Sequence, residues 1–203
     1  MKLINIHISN DKVYFSKDYD SKVVVAIGNF DGLHKGHQKL LQVTKNEAVN
    51  RKLPFGIISF DPHPRDFFSK SNSNFLLVDF LEKKRLFENL GLDYFFKIKF
   101  NDALRMLNPE NFIKLILKNT VNADCIYAGE NFRFGKNREG SLTDRVLFQK
   151  YNIDAKTCIL QKNEDEQIVS SELIRKSILS LDFKFVESCL GRNWALTGDV
   201  IKG

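Results

Sequence analysis

A stretch carrying glycines and histidines, Gly28-Asn29-Phe30-Asp31-Gly32-Leu33-His34-Lys35-Gly36-His37, directly follows the apolar run Val23-Val24-Val25-Ala26-Ile27. Consecutive β-branched residues read as a short strand buried on both faces. After the stretch, Leu40, Leu41, Val43, Thr44 and Ala48 recur with a helical period, which predicts a helix from about Gly36 to Arg51. Strand, tight loop and helix in this order aim backbone N–H groups and the positive end of a helix at one point, a ready site for phosphate. His34 and His37, three residues apart at a helix start, face one ligand together.

Other chemistries fit this stretch less well. Paired histidines are half of a zinc site, but no third ligand lies nearby, and Cys125, Cys158 and Cys189 show no paired spacing. The dinucleotide fingerprint needs Gly-x-Gly-x-x-Gly, and the glycines here stand at 28, 32 and 36. The phosphate loop ending in Gly-Lys-Ser/Thr is absent as well. The plain alternative is a loop with a helix cap and two surface histidines.

Further along, Pro54-Phe55-Gly56-Ile57-Ile58-Ser59-Phe60 reads as a second buried strand and completes a strand–helix–strand unit of a parallel sheet. Asp61-Pro62-His63-Pro64-Arg65 follows at its carboxyl end, where open parallel sheets bind ligands. Residues 67–74 read as a lid or loop, and Asp79 as the cap of a helix stopped by Gly91. Residues 93–98 predict a third strand and Pro109 a helix start. Asp124-Cys125-Ile126-Tyr127-Ala128 predicts a fourth strand, ending in the loop Gly129-Glu130-Asn131-Phe132-Arg133-Phe134-Gly135. A helix over 142–151, a strand over 153–160, a charged loop over 161–167 and a serine-capped helix from Ser170-Ser171 come next. Asp182 to Leu190 predicts a short helix closed by Gly191, and Trp194 to Val200 a last strand. Residues 1–21 read as a polar lead-in with one short strand near Leu3–Ile8, and His7 as structural.

The chain's 203 residues suit one domain or a domain with a small appendage. No apolar run approaches the length of a membrane span, and the start has no signal-peptide pattern. Three cysteines without paired spacing fit a reducing cytoplasm. A net charge of +6 suits anionic partners, while scattered lysines argue against a nucleic-acid arm.

Four segments together resemble the bacterial FAD synthetases of the nucleotidylyltransferase superfamily, whose signature is His/Thr-x-Gly-His. They are Gly28 to His37, the string from Ser59 to Arg65, Gly129 to Gly135, and Ser170 to Arg175. The resemblance covers roughly residues 20–192 and implies a Rossmann-like α/β/α sandwich with a parallel sheet of about five strands. It implies a domain over 1–192, with 193–203 a strand or linker where a riboflavin kinase domain normally begins; that kinase is expected to be absent, and whether a separate one supplies FMN stays open.

The implied reaction is ATP + FMN → FAD + pyrophosphate, with Mg²⁺ carried by the ATP phosphates and no protein metal site. By resemblance, His34, His37, Asn29 and Arg175 are catalytic. Gly28, Asn29, Phe30, Asp31, His34, Gly36, His37, Ser170, Ser171 and Arg175 bind ATP. Phe60, His63, Pro64, Arg65, Asn131 and Arg133 bind FMN. Glu172 stands where the family has Thr; it either supports the helix start from solvent, the expected case, or faces the phosphates. Two other readings stay open: a nucleotidylyltransferase for another small molecule, such as pantetheine phosphate or nicotinate mononucleotide, and a non-catalytic flavin- or nucleotide-binding remnant.

Overall fold

The computed structural model of the chain describes residues 1–9, 12–16, 19–68, 76–159, 168–196 and 198. Among the described residues nine strands form: β1 Lys2–Ser9, β2 Lys12–Phe15, β3 Val23–Ile27, β4 Phe55–Asp61, β5 Tyr94–Lys99, β6 Ala123–Gly129, β7 Arg133–Phe134, β8 Gly140–Ser141 and β9 Asp154–Cys158. The helices are α1 Lys35–Arg51, α2 Pro64–Phe68, α3 Phe80–Asn89, α4 Asp102–Arg105, α5 Pro109–Asn111, α6 Arg145–Gln149, α7 Ser171–Leu179 and α8 Phe183–Leu190. Helix α5 runs on into a wider helix over Phe112–Thr120, whose end is marked by the bond from the Val121 N–H to the Ile116 carbonyl.

The chain divides into two compact units, described separately below. The first comprises Met1–Asn29, Leu40–Ser73 and Gly91–Ile159. It holds a seven-stranded sheet in the order β2-β1-β5-β4-β3-β6-β9. Every neighbouring pair is parallel except β1 with β2. From β3 the chain builds outward through β4 to β5, then returns to place β6 on the other side of β3. The strand order therefore reverses between β3 and β6, and ligands of open parallel sheets bind beyond the carboxyl ends at such a point. The loops that begin at Gly28 and after Gly129 are the ones that leave those two strands.

The reason for the sheet is legible in burial. All five residues of β3 are buried, as its unbroken apolar run requires of a central parallel strand. Ile4, Ile6 and Ile8 of β1 alternate with exposed residues and join Val23, Val25, Ile27, Phe112, Ile113 and Ile116 in one core. Residues 1–21 are thus no polar lead-in: β1 pairs with β5 over Lys2 to Ile6, and β2 covers its other edge. With β1 included, the parallel strands number six, against about five expected. Gly56 of β4 is a packing necessity, because a Cβ there would sit 3.1 Å from the Phe96 ring and 3.2 Å from Val23 and Val25. On α1, Leu40, Leu41, Thr44 and Ala48 are buried, and Thr44 spends its hydroxyl on the Leu40 carbonyl at 2.7 Å. Val43 falls off that stripe and is exposed. At one end of the sheet Arg51 binds Glu47, Asp124 and Asp154, while Lys156 and Tyr127 also bind Glu47.

The second unit comprises Phe30–Lys39, Asn74–Leu90 and Leu160–Gly203. Its core gathers Leu77, Val169, Ile174, Val186, Cys189 and Leu190. Asp79 caps α3 by accepting the Glu82 N–H at 2.7 Å. Trp194 packs on this core and donates its indole N–H to the Leu77 carbonyl at 2.8 Å. Residues 194–196 form no strand, contrary to the expectation for Trp194 to Val200; the indole contact, not sheet pairing, holds them. The helix expected over 142–151 is confined to α6, with Leu142 buried ahead of it. Most of the expected lid over 67–74 and the whole charged loop over 161–167 lie outside the described residues.

Candidate active site

The loop leaving β3 begins in the first unit, where the Gly28 N–H bonds the Ile58 carbonyl and the Ser59 hydroxyl donates to the Asn29 carbonyl. The chain then enters the second unit through a tight turn with left-handed φ at Phe30 (50°), Gly32 (77°) and Leu33 (45°). A side chain at Gly32 would be strained: its φ is left-handed, and a Cβ would lie 2.6 Å from Leu77 Cδ1, which would have to shift. The buried Phe30 ring packs edge-on against Phe87 and His37.

Asp31 is 1% exposed and fully engaged. One carboxylate oxygen accepts the Leu77 N–H at 2.9 Å, the other pairs with the Arg175 guanidinium, and the Asp31 carbonyl accepts the Ser171 hydroxyl at 2.8 Å. Burial pushes the Asp31 carboxyl up from the ordinary carboxylate range, against the pull of Arg175. One side chain therefore ties the turn to α7 and to the segment before α3.

His34 closes the turn and caps α1. Its carbonyl accepts the Gln38 N–H at 3.0 Å, and its Nδ1 accepts the His37 N–H at 3.3 Å. The His34 and His37 rings stack with centroids 3.7 Å apart and planes 19° apart. Burial lowers the His34 pKa to about 4. Burial, His34 and Lys83 hold His37 well below 6.5. At neutral pH both imidazoles are uncharged, and the cap leaves the His34 proton on Nε2. The pair thus offers N–H donors rather than cations. Among the described residues, His37 Nδ1 is buried without a hydrogen-bond partner. Gly36 lies in the first turn of α1.

At the start of α7, Ser170 is the N-cap and accepts the Leu173 N–H at 3.2 Å. Glu172 is exposed in the first turn, as expected of a residue that supports the helix start from solvent. The second unit thus brings together Phe30, Asp31, His34, Gly36, His37, Ser170, Ser171 and Arg175, whereas Gly28 and Asn29 belong to the first.

The expected flavin-side residues all lie in the first unit. Pro64 opens α2, the residue type suited to a first helical turn, and His63 Nδ1 accepts the Arg65 N–H at 3.0 Å. Phe60, at the end of β4, belongs to a part-exposed aromatic cluster with Phe67, Phe68 and Phe100. After β6, a turn closes with the Phe132 N–H on the Gly129 carbonyl at 2.9 Å. It leaves Asn131 and Arg133 exposed. The Arg133 guanidinium donates to the Glu130 and Phe132 carbonyls at 3.1 and 2.9 Å. Phe134 anchors the loop in the core beside Phe112 and Phe148.

Sequence reasoning missed Phe67, Phe68 and Phe100, although the Phe67-Phe68 doublet behind Arg65 was a visible signal. It also missed Lys83 on α3, which acts on both Asp31 and His37, and Arg192, which bonds the turn before His34. No sequence signal marks these two. Among the described residues, no group of three or more His, Cys, Asp or Glu side chains is placed to hold a metal ion.

The glycine turn after β3, the stacked neutral histidines, the serine-capped α7 and a sheet that reverses order beside β3 are each consistent with a Rossmann-like nucleotidyltransferase. The sequence profile of FAD synthetase matches residues 16–173, and the chain belongs to that family. It is 34% identical over 190 residues to the bifunctional riboflavin kinase/FMN adenylyltransferase of Buchnera aphidicola subsp. Schizaphis graminum, covering 92% of this chain and 60% of the relative. The enzyme of the same description from Escherichia coli K12 is 32% identical over 183 residues, covering 89% and 58%. That from Bacillus subtilis is 29% identical over 202 residues, covering 98% and 62%. The chain thus spans about 60% of the length of these relatives.

Among solved structures, one described as a macrolide-efflux protein from Streptococcus pneumoniae superposes with a TM-score of 0.78 at 25% identity, covering 95% of this chain and 63% of that one. A pantoate-beta-alanine ligase from Francisella tularensis, at 15% identity and a TM-score of 0.54, shares the fold; the match covers 82% of this chain and 70% of that one. No helix among the described residues is long and apolar enough to cross a membrane.

Proposed function

We propose that this chain transfers AMP from ATP to FMN, releasing pyrophosphate and forming FAD. An oxygen of the FMN phosphate attacks the α-phosphorus of ATP, a P–O bond forms, and the bond to the bridging oxygen of the leaving pyrophosphate breaks. The attacking phosphate has a second pKa of about 6 and is mostly ionised at neutral pH, so the step needs no strong general base. Positioning and stabilisation of the leaving charge remain for the protein to supply.

The observation that carries this reading is the stacked His34–His37 pair, uncharged and fixed at the start of α1. Neutral imidazole N–H groups and the helix start suit a polyphosphate whose negative charge moves toward the leaving group. Gly28 and Gly36 would let the backbone approach it, and Asn29 would join the histidines in holding its phosphates. Ser170, Ser171 and Arg175 serve the same phosphates from α7, and Asp31 acts by holding Ser171 and Arg175.

His63, Arg65, Asn131 and Arg133 take FMN, with the cations for its phosphate. The aromatic cluster that includes Phe60 offers its planar ring a stacking surface. Mg²⁺ would ride on the triphosphate and neutralise its charge, since it keeps waters and needs few protein ligands. FMN is supplied by a riboflavin kinase, and the work is done in the cytoplasm, where the free thiols of Cys125, Cys158 and Cys189 remain reduced.

Incubating purified protein with Mg·ATP and FMN tests the proposal. FAD and pyrophosphate should appear in equal amounts, and nicotinate mononucleotide in place of FMN should give no dinucleotide. A protein that binds FMN yet forms no FAD would be a binding remnant, and the proposal would fail.

A further inference from the structure

The turn before His34 holds two residues with side chains, Phe30 and Leu33, in left-handed conformation, with φ of 50° and 45°. Such a backbone persists only where its surroundings over-determine it. Asp31 braces the start of the turn through Leu77 and Arg175. The end of the turn is held differently. The Gly32 carbonyl accepts from Arg192 Nη2 at 2.9 Å, and Arg192 Nη1 lies 3.5 Å from the Leu33 carbonyl. That same Leu33 carbonyl accepts from Gln38 Nε2 at 2.9 Å. The Gln38 amide donates its other hydrogen to the Leu190 carbonyl at 2.8 Å, at the last residue of α8. Gly191, with φ of 69°, closes α8 and leads the chain to Arg192.

We infer that Arg192 and Gln38 are positioning residues, which clamp the carbonyls of Gly32 and Leu33 and so fix the His34 ring for nucleotide phosphate. The inference rests on the nucleotide reading of the His34–His37 pair. Arg192 lies beyond residues 16–173, the span matched by the family profile, and touches no reacting group in this role. Its guanidinium is partly buried and bonded to backbone oxygens of the turn, an arrangement that orients a backbone. The next residue along the chain, His34, accepts the His37 N–H through Nδ1, so its Nε2–H is the group the clamp aims. If Gly32 and Leu33 relax, that bond to His37 is lost and both ring nitrogens of His34 become available to carry the proton.

Arg192→Ala, Arg192→Lys and Gln38→Met in the full chain test the clamp with two readouts. The first is the imidazole ¹⁵N spectrum of His34 at pH 7 without ligand. Wild type should show one tautomer, protonated at Nε2, and Arg192→Ala a mixture. The second is steady-state kinetics with Mg·ATP and FMN. Arg192→Ala should lose about tenfold to a hundredfold in kcat, the scale of a small misplacement of a reacting group. KM for FMN should change by less than about threefold, and Arg192→Lys, which keeps one donor, should recover much of the loss. Gln38→Met should behave like Arg192→Ala and carries the test if that variant does not fold. A folded Arg192→Ala or Gln38→Met with the wild-type His34 spectrum and kcat overturns the clamp. If wild type forms no FAD, the functional reading fails, and the His34 spectrum alone decides the clamp.

Discussion

The loops around His34 and around Arg133 are both glycine turns at strand ends, yet they are built in opposite ways. In the first, Asp31 is 1% and His34 6% exposed, and side chains of Asp31, Ser171, Gln38 and Arg192 fasten the turn. In the second, Asn131 and Arg133 are exposed, and Arg133 is tethered to carbonyls one and three residues away. A group that must meet moving charge in a transition state gains from being fixed beforehand. A group that recognises a ground-state substrate loses little by remaining in water until the ligand arrives. Under the proposed function, turnover would rest on the buried loop and flavin affinity on the exposed one.

The largest expected effect breaks the buried loop. His37→Ala should lower kcat about 10²–10³-fold, comparable to removing one transition-state donor, with KM for FMN little changed. Equal turnover in the two proteins would erase the functional half of the contrast.

Acid sharpens it next. The folded-state pKa of His34 is about 4, below its ordinary 6.5, so the unfolded chain binds the proton more readily. Stability linked to His34 is complete above pH 6.5 and is lost as pH falls through about 4, on the order of 1–3 kcal/mol. Glu47, held at about 2 by Lys156 and Arg51, is a depressed carboxylate whose contribution is complete above 4.5 and fades as pH falls through about 2. Chemical denaturation at a series of pH values should show the first loss in wild type and a smaller one in His34→Asn, where the buried His37 still contributes, with the second retained in both.

A smaller effect belongs to the exposed loop. Arg133→Ala should raise KM for FMN about tenfold, or about 1.4 kcal/mol, with kcat within about threefold and thermal stability unchanged. A melting temperature that falls with KM would show Arg133 to be structural. The smallest effect is at Glu172. Glu172→Thr should leave kcat/KM for ATP unchanged across Mg²⁺ concentrations and cost about 0.3–1 kcal/mol of stability. A tenfold gain in kcat/KM on the change to Thr would mean that the carboxylate faces the phosphates.

What the sequence disclosed followed from local chemistry. The unbroken run of β3, the caps at Asp79, Ser170 and Asp182, and the stop at Gly191 each announce themselves within a few residues. The first strand was read too, since Ile4, Ile6 and Ile8 alternate with Asn5 and His7, but nothing local shows that it pairs with β5 within the main sheet. Arg192 lies 160 positions from Gly32, and a side chain bonding a backbone carbonyl leaves no periodic trace. The same holds for Asp31, whose motif suggested a ligand contact and whose oxygens are bonded to Leu77 and Arg175. Residue type marked these loops as candidate phosphate sites, while long-range hydrogen bonds show which of their side chains brace the turn.

Trp194 gives the molecule an internal optical division. It is the one tryptophan in 203 residues, and it packs in the second unit with its indole on Leu77. All five tyrosines, Tyr14, Tyr19, Tyr94, Tyr127 and Tyr151, belong to the first. Indole emission therefore follows the unit that carries His34, and near-ultraviolet tyrosine absorbance follows the sheet. Recorded on one sample during denaturation, the two signals coincide if the units unfold as one cooperative body and separate if they do not. Nucleotide titrated against the indole signal then reports ligation of the histidine-bearing unit without a label.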